Sequence, residues 1–454
     1  MPPAGPAPIF HPPVWTESTL SNGARLVVLP RRGLPLVAVA IHFEGGADQF
    51  EPPGKHGVAQ LTARTMNDGT TTRSGDQLSM ALARVGAEFW TAIGAEDGAI
   101  RLVVLREHLA TALGLAADEL LHPTFPAAAV ARRKSLALVA LRQQELTGSY
   151  LDSSAFAHVV YGPGHPYGWV IDSAIIASLT RDDLVAFHAA YFRPAHAVIT
   201  VVGDVDVASA RQLLETAFAG WRSGSGPVSY HYPSLAPGRP TAIYLMDRPG
   251  AAQSSILVGL PGPPRTTPDY YALEVLNKIV GGLFQSRINH IIREEKGWTY
   301  RVSSMFAYGH GPGAFTIGGD VVTAKTDSAI LIVLRELRGV QGGRPFTEDE
   351  IAQAKAALIQ SLPARFATVD GTGAAIGQLY TDDLPRDYYA QYASRVQAVT
   401  VTDLLRVANQ YLDLAHLAIV VAGDRAAIGA SLATLGVGPV VALDAHYEPA
   451  GENR

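Results

Sequence analysis

The chain has 454 residues, 48% hydrophobic and 17% charged, which is room for roughly two to four domains and too apolar for a disordered chain. A net charge of −5 argues against a nucleic-acid binder, which needs a basic face. The absence of cysteine excludes disulfides and thiolate metal sites, and runs such as LVAVAI (36–41) fall far short of the ~20 apolar residues of a membrane-spanning helix.

The N-terminus, MPPAGPAPIFHPPVW, is rich in proline and lacks an apolar signal core. A mature N-terminus with an added Met would read this way, so a periplasmic location is expected, with a cytoplasmic one as the alternative. Strands follow at RLVVLP (25–30) and LVAVAIHFEG (36–45). Helical spacing then covers Gly57 to about Met66 and roughly 76–85. A hairpin is expected from EFWTAIG (88–94) and AIRLVVL (99–105), followed by long helices over 107–121 and 126–147.

The chain is duplicated. TRDDLVAFHAAYFRPAHAVITVVGD (180–204) and TVTDLLRVANQYLDLAHLAIVVAGD (400–424) match at ten of 25 positions, at a constant offset of 220. Each copy reads helix, then strand, then a second helix, as VASARQLLETAFAGW shows in the first. The expected domains are an N-terminal half over 1–225, a linker over 226–240 and a C-terminal half over 241–454. The linker lies in the Gly/Ser/Pro-rich stretch RSGSGPVSYHYPSLAPGRP (222–240). In the second half, strands are expected near 241–247 and 254–260, helices at 268–279 and about 284–296, and strands at 299–307 and 313–320. The fold class is α+β: two homologous halves, each a mostly antiparallel sheet with helices packed on one face.

A catalytic zinc is held by three protein ligands and keeps a water in its fourth position. Two His four apart on a helix share a face, and a Glu between them can serve as general base, as in H-x-x-E-H. In GVAQLTARTMNDGT (57–70) those three positions hold Gln60, Ala63 and Arg64. Arg64 stays protonated and would repel Zn²⁺. The 14 histidines contain no pair at i,i+3 or i,i+4, so scattered structural histidines are expected; His196 and His416 share a repeat position and read as structural.

The run GGADQFEPPGKHGVAQLTARTMNDGT (45–70) resembles the first-half motif of the pitrilysin-like metallopeptidases, the family of insulin-degrading enzyme and mitochondrial processing peptidase. Gly46, Glu51, Gly57, Ala59, Gly69 and Thr70 match that motif, and the zinc ligands do not. The family's third ligand is a Glu on a later helix. Here LALVALRQQ (136–144) contains no acid, and Glu145 is out of register. HPYG (165–168) also resembles a family segment.

A second family motif is kept. GGLFQSRINHIIREEKGWTYRV (281–302) has an apolar stripe of Leu283, Ile288, Ile291 and Ile292, with Gly297 placed to end the helix. Arg293, Glu294, Gly297 and Tyr300 match a family pattern resembling R-E-x-x-G-x-x-Y. In active members the Arg holds substrate carbonyls and the Tyr hydroxyl donates to the tetrahedral oxyanion.

The resemblance therefore implies the zinc-free subunit of a heterodimeric peptidase. Arg293 and Tyr300 are its catalytic residues, no metal is bound in this chain, and zinc sits in a homologous partner carrying H-x-x-E-H. Two such chains would close like a clamshell around a peptide substrate, and self-association of the isolated chain is a further option. The alternative is a catalytically inactive scaffold or peptide-binding protein of the same fold. The substrate-recognising subunit of a processing peptidase fits less well, because only Gly281 and Gly282 remain of its glycine-rich loop. A self-contained zinc protease is rejected.

Overall fold

The computed structural model describes residues 10–222, 224, 228–236 and 238–450. The first nine residues, with most of the Pro-rich start, and linker positions 226, 227 and 237 lie outside the described residues.

Among the described residues, twelve strands form two six-stranded sheets. The first holds β1 (Thr16–Thr19), β2 (Arg25–Pro30), β3 (Leu36–Glu44), β4 (Glu88–Ile93), β5 (Asp97–Leu105) and β6 (Ala197–Gly203), in the order β1-β2-β6-β3-β5-β4. The second holds β7 (Ala242–Asp247), β8 (Gln253–Pro261), β9 (Ser303–Ala307), β10 (Ala314–Val322), β11 (Ala418–Gly423) and β12 (Val440–Leu443), in the order β12-β7-β11-β8-β10-β9. From the second strand onward the two orders correspond one to one, as a duplication requires. β2–β6, β7–β11 and β7–β12 pair parallel, and the other neighbours pair antiparallel.

The repeated sequence has a local cause. Thr180 caps the helix Arg181–Tyr191, its side chain accepting from the Asp183 N–H while Asp183 accepts from the Thr180 N–H at 2.8 Å. Thr400 and Asp403 build the same box on Val401–Tyr411, with 2.9 Å for the second bond. Each helix feeds a fully buried strand, β6 or β11. Gly203 has φ of 146°, and a Cβ there would strike the Leu36 carbonyl oxygen. The two repeat histidines differ: His196 is buried beside Phe50, whereas the half-exposed His416 is 2.6 Å from Asp413.

The chain folds into two compact units, and each is discontinuous. One comprises residues up to Leu141, Ile171–His231 and Ser361–Ala390. The other comprises Arg142–Val170, Tyr232–Gln360 and the residues from Gln391 onward. Each half of the duplication thus places one helix in the unit built on the other half's sheet. The helix Val369–Thr381 lies on β3 and β6, and Gly148–Tyr161 lies on β8 and β11. In the first unit Val37, Val39, Ile41 and Phe43 join the main core on one face of β3. The other face, with Ala38, Ala40 and His42, meets the added helix.

Small residues permit that approach. Gly373 sits over Thr200, and a Cβ on Gly377 would collide with the His42 ring. His42 is 6% exposed and faces Thr200 Oγ1 at 3.4 Å. Burial, with Arg101 nearby, lowers its pKa to about 4.

Gly377→Ala should cost about 1–3 kcal/mol by overpacking, read as a lower urea midpoint. Gly114→Ala, in the helix Leu109–Leu121 with open space at its Cβ, should instead be neutral or gain up to about 1 kcal/mol. His42 makes stability depend on pH. Between its ordinary pKa of 6.5 and the folded value of about 4, the unfolded chain binds the proton and the folded chain does not. Stability should therefore fall as pH drops through that window, and His42→Gln should flatten the loss when urea midpoints are compared at pH 7.5 and 5 (roughly these values bracket the ordinary His pKa).

Candidate functional site

The helix Val58–Thr65 is built by the residues that match the family motif. Glu51 is 8% exposed and accepts from the N–H groups of Gly57 and Ala59, both at 2.9 Å, satisfying the start of the helix. Gly57 takes φ of 95°, a left-handed conformation that suits glycine. Gly46 lies so close to the Gly94 and Ala95 carbonyls that a Cβ would not fit. Ala59 is fully buried. The Thr70 hydroxyl donates to Asp118 at 2.8 Å, closing the turn after the helix. All these kept positions shape the backbone.

The ligand positions do something else. Six of the eight residues in Val58–Thr65 are buried, and only Gln60 and Arg64 are exposed. They share one face a turn apart, as the spacing predicts, with Ala63 buried between them. The helix Ala127–Glu145 is tied to the next turn by Arg132 and Arg133, each 2.7 Å from Asp68. Beyond that tie it exposes Leu136 and Val139, and Glu145 is its exposed last residue. An amide, a methyl, a guanidinium and aliphatic side chains are not a zinc ligand set, so zinc does not fit these residues. Among the described residues no group of three or more His, Asp or Glu is arranged to hold a metal.

Arg293 and Tyr300 belong to the second unit, and the structure brings them together. The chain makes one α-helical turn at Arg287–Asn289 and widens into a π-helical turn over His290–Glu295. Gly297 ends it with φ of 66° and donates its N–H to the Arg293 carbonyl at 2.9 Å. The guanidinium lies 4.0 Å from the centre of the Phe284 ring and 5.3 Å from that of Tyr300. It is 3.2 Å from Glu294, close enough for an ion pair. That Nη1 atom is buried and makes no aligned hydrogen bond.

Tyr300 is 84% exposed and precedes the strand instead of entering it at residue 299. The Thr299 hydroxyl donates to the Asp320 carbonyl at 2.6 Å and accepts from the Arg301 N–H, which diverts this stretch from the ladder. Sequence reading missed two neighbours, Phe284 and Asn289. Asn289 interrupts the apolar stripe of Ile288, Ile291 and Ile292, and a polar residue inside such a stripe was the available signal.

Two homologous α+β halves with these motifs define a class of duplicated peptidase-like chains. The model for "Insulinase (Peptidase family M16)" matches residues 26–159, and that for "Peptidase M16 inactive domain" matches 178–358. The chain belongs to peptidase family M16, the pitrilysin-like family. An uncharacterized zinc protease of Streptomyces coelicolor is 26% identical over 87% of each chain. The mitochondrial-processing peptidase subunit beta of Lentinula edodes is 24% identical over 88% of each. The crystal structure of a peptidase M16 inactive domain from Pseudomonas fluorescens superposes with a TM-score of 0.83 at 26% identity, covering 90% of this chain and 98% of that one.

Gln60→His, Ala63→Glu and Arg64→His combined should not produce tight stoichiometric zinc binding. Residue 63 is 5% exposed, so a Glu there would be buried, and the Ala127–Glu145 helix offers no third ligand in register. Calorimetric titration with zinc checks this, and one zinc held per chain would refute it.

Proposed function

We propose that this chain is the zinc-free subunit of a two-chain zinc metallopeptidase. The observation that carries the reading is the pairing of Arg293 with Tyr300 in a chain whose ligand positions hold Gln60, Ala63 and Arg64. The relative from Lentinula edodes is itself named as a subunit, which supports a paired assembly. In this reading a homologous partner bearing H-x-x-E-H supplies the metal and the activated water.

This chain's residues then have defined roles. The Arg293 guanidinium holds backbone carbonyls of the peptide and fixes its register. The Tyr300 hydroxyl, free to turn toward solvent, donates to the oxyanion that forms as water adds to the scissile carbonyl. Tyr300→Phe removes only that donor. It should lower kcat of the reconstituted pair on the order of 10²–10³-fold while leaving peptide affinity nearly unchanged. Unchanged kcat would remove the catalytic role.

A second reading is a non-catalytic peptide-binding or scaffold protein. The ligand-free helix Val58–Thr65 and the likeness to a structure described as an inactive domain favour it. Purification from the native source separates the two readings. Chelator-sensitive peptide cleavage with a homologous chain present supports the subunit, and peptide binding with no such chain supports the scaffold.

A further inference from the structure

The surroundings of Arg293 say more than the two-residue motif. Phe284 is 60% exposed, although its ring lies against a guanidinium. Its backbone is held: the buried Asn289 donates from Nδ2 to the Phe284 carbonyl at 2.6 Å. The same side chain accepts, through Oδ1, from the Val302 N–H at 3.2 Å. Asn289 therefore bonds both to the segment carrying Phe284 and to the segment carrying Tyr300. It also lies one helical turn before Arg293.

A guanidinium stacked on aromatic rings keeps its in-plane N–H donors for hydrogen bonding. Peptide carbonyls suit those donors. Two large aromatic surfaces beside them stay in water until something apolar covers them. A peptide whose carbonyl meets Arg293 would place a neighbouring side chain against Phe284 or Tyr300.

We infer that Phe284, Arg293 and Tyr300 form one recognition slot selecting peptides with an aromatic or large aliphatic side chain next to the carbonyl bound by Arg293, and that Asn289 is the positioning residue that sets the slot's width. The inference rests on the reading above in one respect, that a peptide reaches Arg293. Phe284 contacts substrate, and Asn289 acts only through the two segments it bonds.

The test uses the full chain and four fluorescein-labelled peptides that differ at one central residue: Phe, Leu, Glu or Gly. Fluorescence anisotropy gives each Kd. The intact chain should bind the Phe peptide about tenfold or more tighter than the Gly peptide, the scale of burying one aromatic side chain. Phe284→Ala, at an exposed position, should bring that ratio to within about twofold of unity. Asn289→Asp keeps the acceptor for the Val302 N–H and loses the donor to the Phe284 carbonyl. It should lower the Phe/Gly ratio as well, whereas a purely structural role would weaken all four peptides alike. An unchanged ratio in Phe284→Ala, or no measurable binding of any peptide to the intact chain, overturns the inference. A flattened ratio combined with unaltered turnover in Tyr300→Phe would keep the slot and discard the catalytic role.

Discussion

The fold depends on how closely a helix can approach the second face of a sheet. β3 is buried along nearly its whole length, so both of its faces must be covered. Gly373 and Gly377 let the helix Val369–Thr381 lie against Thr200 and His42. In the second unit, Gly259 of β8 makes room for the Phe156 ring, and Gly148 packs on Ser255. Close approach excludes water, which is why His42 stays neutral under the helix.

The two motifs have diverged in different ways. Around Val58–Thr65 the residues that shape the backbone persist: Glu51 at the start of the helix, Gly57 in its left-handed conformation and Thr70 at the closing turn. The positions between them hold Gln60, Ala63 and Arg64. Around Arg293 the backbone is shaped as firmly. The wide turn His290–Glu295 and Gly297 fix the backbone, the guanidinium lies between Glu294 and the Phe284 ring, and the phenol is exposed. A turn of this kind, inserted in a helix, is a recurrent way to re-aim a side chain.

Much of this was legible in the sequence. The ten strands expected from alternation and β-branching are present, with ends shifted by a few residues. The residue types at 60, 63 and 64 are read directly from the sequence. Three features could not. The helices Gly148–Tyr161 and Val369–Thr381 are built from small and mixed residues because they lie on a sheet; such a surface leaves little helical periodicity to detect. Their placement across the repeat boundary is a tertiary fact that no local pattern encodes. The start of β9 was set too early because the Thr299 side chain takes backbone bonds that the strand would have used.

The exchanged helices also change what a cut in the chain would mean. A break anywhere in 222–240 severs the polypeptide between the two repeats, yet each fragment keeps a helix seated on the other fragment's sheet. Neither repeat is a module that could be moved by itself into another gene, because each would leave a sheet face bare and carry away a helix without a sheet. With a helix of each repeat seated on the other's sheet, the two repeats fold as one interlocked object.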